Sequence, residues 1–146
     1  ELLYKYFPGC AVTTDMIVAF PGETEEEFLQ SLEFIQKCRF GDMHIFPYSR
    51  RPGTPADQMP GQLNNAVKED RSRRAIAVAE QMSQAFRREM IGTTQQVLFE
   101  EAQDGYYVGH APNYTKVYVK GKDLHNQIRN VIVEKIHKDG VFATEI

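Results

Sequence analysis

The feature that most limits what this chain can become is the run "CAVTTDMIVAFPGETEEEF", residues 10 to 28. A β-branched and apolar stretch of strand length passes through Pro21-Gly22 directly into a carboxylate-rich segment. Thr24 followed three residues later by Glu27 is the pattern of a capping box, in which each side chain satisfies a backbone N–H at a helix start. Phe28, Leu32 and Ile35, with Leu29 beside them, then recur at helical spacing up to Gly41. "DMHIFPYS", residues 42 to 49, reads as a second short strand. The order strand, helix, strand gives a crossover long enough for parallel pairing. Because "MIVAF" lacks polar alternation, both faces of the first strand are expected to be covered, as in a parallel sheet.

The fold class that follows is α/β. Residues 50 to 64, with three prolines and two glycines, read as a loop and not as an element. A long helix follows, with Asn64 or Asn65 as its N-cap. Ala75, Ile76, Ala79, Met82, Phe86 and Met90 lie on one side, arginines on most of the remainder, and Gly92 at its end. Beyond it, short alternating strands separated by Asp104-Gly105, Gly121 and Asp139-Gly140 predict four or five strands. Their length suits a small antiparallel β-barrel of the kind that binds oligonucleotides. The expected domains are therefore 1–90 and 91–146.

Charge sharpens this division. Lys and Arg number 3 against 8 acids in residues 1–49, 8 against 5 in 50–90, and 6 against 7 in 91–146. Only the middle third is basic, so a polyanion is steered best there. Cys10 and Cys38 stand 28 positions apart with no second ligand pattern around either, which excludes a zinc or iron–sulfur ligand set within the chain. No signal-like segment or bilayer-length apolar run occurs, so no membrane partner is expected and a reducing, cytoplasmic setting is the default. A first residue of Glu, followed by what reads as a helix end and a turn, suggests a portion of a longer protein.

Among the acids of the burst, Glu25, Glu26 and Glu27 sit where unpaired N–H groups and the helix dipole favour negative charge. Glu23 follows Pro-Gly at the carboxyl end of a strand, the rim on which βα folds build their sites. Asp15, a carboxylate inside an apolar strand, requires a partner or a polar cavity. Tyr48, Ser49, Arg50 and Arg51 leave the second strand at its carboxyl end, and guanidiniums there can hold a carboxylate or phosphate. In the tail, Tyr114, Lys116, Tyr118, Lys120 and Lys122 alternate, placing aromatic and basic groups on one face. A cross-strand core with a solvated rim explains the same alternation. His110, Asn113 and Arg129 are added candidates for RNA contact, whereas His125 and His137 read as surface residues.

The segment "TTDMIVAFPGETEEEF…HIFPYSRRPGTPADQ" resembles the second half of the radical S-adenosylmethionine barrel in MiaB-type methylthiotransferases, with Ala19 where that family usually has Gly. The following 55 or so residues are similar to the TRAM domain, a small β-barrel associated with tRNA, that the family carries next. "GHAPNYTKVYV", residues 109 to 119, is most similar to the branch acting on threonylcarbamoyladenosine beside the tRNA anticodon. The resemblance implies S-adenosyl-L-methionine and two 4Fe-4S clusters as cofactors of the whole enzyme, with no cluster ligated by the cysteines of this chain and no metal site here. It implies that Asp15, Glu23, Tyr48, Arg50 and Arg51 line the cofactor or substrate side, with no catalytic acid or base assignable. The barrel tail would meet the anticodon stem-loop of tRNA through His110, Asn113, Tyr114, Lys116, Tyr118 and Arg129. The implied partners are tRNA and the amino-terminal half of the same enzyme; a separate reading is a structural fragment without activity, whose exposed barrel edge recruits a second copy. These residues alone would be inactive, and an RNA-binding module without chemistry is the alternative.

Overall fold

The computed structural model describes every residue from Glu1 to Ile146. The chain forms two compact units: Val12–Ser83, and Glu1–Ala11 together with Gln84–Ile146.

In the Val12–Ser83 unit, after a short helix α1 (Leu2–Tyr6) that belongs to the other unit, β1 (Thr13–Val18) and β2 (Asp42–Pro47) pair in parallel, with Thr13 opposite Asp42 and Val18 opposite Pro47. The connecting helix α2 (Glu25–Cys38) begins with the expected reciprocal cap: Glu27 N–H donates to Thr24 Oγ1, and Thr24 N–H donates to Glu27 Oε2. Arg39 closes it in the left-handed region at φ 56°. The long helix α3 (Asn65–Glu89) starts on Asn64, whose side chain accepts from Val67 N–H, and runs from this unit into the next. Val18, Phe28 and Ala75 form one packed cluster, and Ile35, Met43, Ala79 and Met82 another. Both lie on the helix-covered face of the two strands.

Three expectations change here. The opposite face of the two-stranded sheet is open, with Ile17 56% and Phe46 49% exposed. Burial in β1 therefore alternates, because helices cover only one side. Residues 50–64 are ordered and include a 3-10 turn at Pro55–Gln58, capped by Thr54 and tied by the Gln62 amide to the Ala56 and Met59 carbonyls. On α3, Ile76 is exposed while Arg71, expected among the solvated arginines, is 5% exposed.

The other unit is built on a closed barrel. Strands β3 (Thr94–Gln103), β4 (Tyr106–His110), β5 (Lys116–Val119), β6 (Gln127–His137) and β7 (Gly140–Glu145) are hydrogen-bonded in the order β3-β4-β5-β7-β6, with β6 returning to β3. Five strands agree with the sequence, but β5 and β7 pair in parallel, so the barrel is mixed rather than antiparallel. Inward side chains, among them Val97, Phe99, Val117, Val131 and Val141, make a continuous apolar core from which water is excluded. Bulges in β3 between Phe99 and Glu101, and in β6 between Val133 and Lys135, supply the extra bend that closing so few strands demands. At Gly109 a Cβ would come within 2.0 Å of the Leu98 carbonyl oxygen, so only glycine lets β4 approach β3.

Candidate functional site

On the open face of the two-stranded sheet, Asp15 of β1 lies opposite His44 of β2, with Asp15 Oδ1 3.3 Å from His44 Nδ1. Both side chains are largely exposed, so Asp15 is paired without being buried. The rings of His44 and Phe46 stack at 6.4 Å, and Ile17 lies opposite Phe46. This face thus offers a carboxylate and an imidazole beside an apolar strip. His44 went unnoticed in the sequence, since a lone histidine in a strand carries no spacing signal; only the parallel register brings it to Asp15.

Glu23 is held differently. Its Oε2 accepts the Ala19 N–H at 2.7 Å and a guanidinium N–H of Arg71 at 2.6 Å, and Arg71 donates also to the Glu23 carbonyl at 2.9 Å. The pair is close to fully desolvated, with the Arg71 and Glu23 side chains 6% and 13% exposed. Arg71 and Arg74 further lie 5.3 and 4.8 Å from the centroid of the Phe28 ring, and Arg74 pairs with Glu25 at 2.7 Å. Two carboxylates of the acidic burst, Glu23 and Glu25, thereby anchor α3, and Glu25 also lies in the first turn of α2. The geometry around Glu23 Oε2 is that of a structural clamp at the strand's end.

Tyr48 is 8% exposed, its ring meets Phe20 edge-on at 5.2 Å, and Lys68 Nζ lies 5.4 Å from its centroid. Its hydroxyl and that of Ser72 are buried without a hydrogen-bond partner. Tyr48, Ser49 and Arg50 line an open cleft of about 830 Å³ along with Lys68 and Ser72. Arg50 is engaged there by Asp57, at 2.8 Å to the side chain and 3.0 Å to the carbonyl. Asp15 and Glu23 line a separate open cleft of about 880 Å³. Four of the five expected residues are therefore divided between two clefts, and Arg51 lines neither.

On the barrel, the expected alternation of aromatic and basic groups along one strand holds only in part. Strand β5 spans only Lys116–Val119, and Tyr114 sits before it in a left-handed turn at φ 63°, 88% exposed. Tyr118, by contrast, is 2% exposed, so its ring cannot stack a base. Its hydroxyl donates to Asp139, which also accepts from Lys116 at 2.8 Å. These two donors hold the Asp139 carboxyl down at about 2, Lys116 first and Tyr118 second. Burial, and then the hydrogen bond to Asp139, pushes the Tyr118 phenol up. Asn113 is a structural tie: its amide donates to the Gly9 carbonyl, and its oxygen accepts from Thr115 N–H. His110 pairs with Glu100 at 3.0 Å, and Arg129 with Glu145 at 2.9 Å. His125 Nδ1 lies 2.7 Å from the Glu100 carbonyl. His137 is not a surface residue: it packs between Tyr106, Tyr118 and Phe142, and its Nε2 is buried without a partner.

Cys10 and Cys38 are free thiols, and no three His, Cys, Asp or Glu side chains come together in an arrangement able to hold a metal ion. A 4Fe-4S cluster is held by four thiolates, or by three with one iron left open, so the residues present do not fit one.

Comparison with curated proteins decides the relationship. The chain is 40% identical over 143 residues, 94% of its length, to "Threonylcarbamoyladenosine tRNA methylthiotransferase MtaB" of Bacillus subtilis. Over nearly its whole length, it is homologous to the tRNA methylthiotransferases. It is also 39% identical over 139 residues to "tRNA-2-methylthio-N(6)-dimethylallyladenosine synthase" of Nocardia farcinica, and 48% identical over 93 residues to the Corynebacterium jeikeium protein of that name. These matches cover 85% and 64% of this chain. No family model matches the sequence. The chain spans 31%, 28% and 18% of the lengths of these three methylthiotransferase relatives, in the order given. No helix of the chain is long and apolar enough to cross a membrane.

Proposed function

We propose that the chain is part of a radical S-adenosylmethionine methylthiotransferase that places a methylthio group on threonylcarbamoyladenosine beside the tRNA anticodon. In this reading Val12–Ser83 is the closing portion of a βα barrel, and residues 91–146 are a TRAM-like module that meets the anticodon stem-loop. The observation that carries the reading is the 40% identity to the threonylcarbamoyladenosine enzyme over 94% of the chain.

The open face of β1 and β2 supports it. A parallel pair with helices on one side and Asp15, Ile17, His44 and Phe46 bare on the other is half of the covering that a βα barrel gives its strands. The amino-terminal half of the same enzyme is the natural cover, and self-association through that face is the expected behaviour of these residues alone. S-adenosylmethionine has an adenine and an amino-acid head, which suit an apolar strip beside a carboxylate and an imidazole. Bound, it supplies the radical and the methyl group in this chemistry. Within this chain Asp15 and His44 would hold its polar atoms, with Ile17 and Phe46 excluding water beside them. Glu23 keeps the strand end in place through Ala19 and Arg71. The two 4Fe-4S clusters belong outside these residues, which alone would be inactive, and the setting is the cytoplasm, where tRNA is modified.

Nucleoside mass spectrometry of bulk tRNA tests the reading. Cells whose gene lacks the codons for these residues should lose the methylthio group from threonylcarbamoyladenosine and regain it on complementation. If that mark persists while the isopentenyladenosine mark disappears, the substrate assignment fails; if both persist, the enzyme assignment fails.

A further inference from the structure

The net balance of the tail, 6 basic against 7 acidic residues, hides how the barrel distributes its charges. Four rings from four different strands or their ends meet on its outer surface: Tyr106, Tyr118, His137 and Phe142, with centroids 5.0 to 6.4 Å apart. Four lysines stand over these rings. Lys120 Nζ is 6.0 Å from the Tyr106 centroid, Lys135 Nζ 5.4 Å from Phe142, Lys138 Nζ 5.9 and 5.6 Å from Tyr106 and Tyr118, and Lys116 Nζ 6.0 Å from Tyr118. The nearby carboxylates are engaged: Asp139 by Lys116, Asp104 by Lys138 at 2.9 Å, and Glu134 by the Thr144 hydroxyl. Lys120 and Lys135 pair with no carboxylate.

An ammonium held over a ring is attracted by the ring's negative face, so its long side chain surrenders less freedom when an anion arrives. The same arrangement excludes a stacking role, since the ring faces are taken by lysine and Tyr118 is buried. What remains is a set of ammonium groups held against one aromatic cluster, two of them without a carboxylate partner, which is chemistry suited to the phosphates of a polyanion.

We propose that this face, through Lys120 and Lys135 with Lys138 between the rings, binds the phosphate backbone of RNA without reading its bases. The proposal rests on the tRNA reading above; of the alternating Tyr114-to-Lys122 set it keeps Lys120 and joins to it Lys135 and Lys138 from outside that set. Tyr106 and Phe142 act as positioning residues that hold the ammonium groups.

The test is fluorescence anisotropy of an unmodified tRNA transcript with the 146-residue chain at several salt concentrations. The double variant K120A/K135A should bind at least about tenfold more weakly. Its slope of log K against log salt should fall by roughly 1.5, because each phosphate that a lysine neutralises releases counterions worth about 0.7 to 0.9 of slope. The variant K120R/K135R should retain both. Tyr106→Leu, which leaves every charge in place, should weaken binding a few-fold with less change in slope. Lys37→Ala, which removes an exposed lysine of α2 in the other unit, serves as the control for the loss of a positive charge. Melting curves of the lysine variants should superimpose on that of the wild type, as the altered lysines are exposed.

Unchanged affinity and slope in K120A/K135A would overturn the proposal, and so would a wild-type chain that binds no tRNA. A lysine-dependent preference for phosphatidylserine vesicles over tRNA would assign the face to a membrane surface instead and equally overturn it. None of these outcomes touches the nucleoside assay, so the face can fail while the methylthiotransferase reading stands.

Discussion

One oxygen of Glu23 joins two elements: it accepts the Ala19 N–H at 2.7 Å and an Arg71 N–H at 2.6 Å. Glu23 and Arg71 are separated by 48 positions, yet both side chains are nearly out of water. A desolvated pair of this kind adds little net stability over an apolar pair, but removing one member strands the other. Arg71→Met should therefore destabilise the chain by about 3–5 kcal/mol, measured by urea unfolding. The double variant Arg71→Met with Glu23→Leu should recover a large part of that loss. A single Arg71→Met variant as stable as the wild type would remove Glu23 from its clamp role.

Ala19 bears the strain of the same junction. It sits at φ 57° with no exposed surface, at the end of β1 where Glu23 reaches back. A left-handed residue other than glycine costs roughly 1–2 kcal/mol, and the buried methyl returns about 0.8 kcal/mol. Ala19→Gly should therefore leave stability within about 1 kcal/mol of the wild type or raise it. Ala19→Val adds a branched side chain to a backbone that rejects it and to space already filled, at about 3 kcal/mol or more. Thermal unfolding of the two variants should separate them clearly; equal melting points would contradict this account.

These two residues mark where the sequence stopped being legible. The Thr24–Glu27 cap, the parallel strand pair and the five short strands could all be read because their signals are local: a spacing of three, a length, a turn dipeptide. Arg71 could not, because an arginine on a helix looks solvated until its position against Glu23 is known. The parallel β5–β7 pairing was missed for a related reason, since turn residues fix only which strands are joined, not which ones close a barrel. Tyr118 alternates with lysines as an exposed ring would, but Tyr106 and His137 pack edge-on against it from two other strands, and Phe142 lies opposite it in the parallel register. Of the candidate cofactor residues, the sequence named Asp15 and missed His44, its partner across the register.

Asp139 links the barrel to pH. With its carboxyl held at about 2, below the ordinary 3.8, by Lys116 and Tyr118, the folded state favours the ionised form more than the unfolded chain does. Stability from this group is complete above about pH 4 and is lost as pH falls toward 2. Its side chain is 61% exposed, so screening limits the effect to about 1 kcal/mol or less. Unfolding free energy followed from pH 5 to pH 2 should fall less steeply in Asp139→Asn than in the wild type. Identical slopes would show that the interaction with Lys116 and Tyr118 contributes nothing in solution.

Tyr114 is the one ring of the sequence-derived RNA set that the structure leaves free. It is 88% exposed and stands in a left-handed turn, closed by Tyr114 N–H donating to the Ala111 carbonyl and braced by the Asn113 ties to Gly9 and Thr115. An aromatic face presented on a fixed turn can stack a splayed base, and such contacts are worth about 1–3 kcal/mol each. Tyr114→Ala should weaken tRNA transcript binding by roughly that amount, while Tyr114→Phe retains it. Stacking releases no counterions, so the salt slope should stay unchanged in Tyr114→Ala, unlike the decrease expected for K120A/K135A. A titration in which Tyr114→Ala lowers the slope and leaves low-salt affinity intact would reverse the assignment of stacking to this loop.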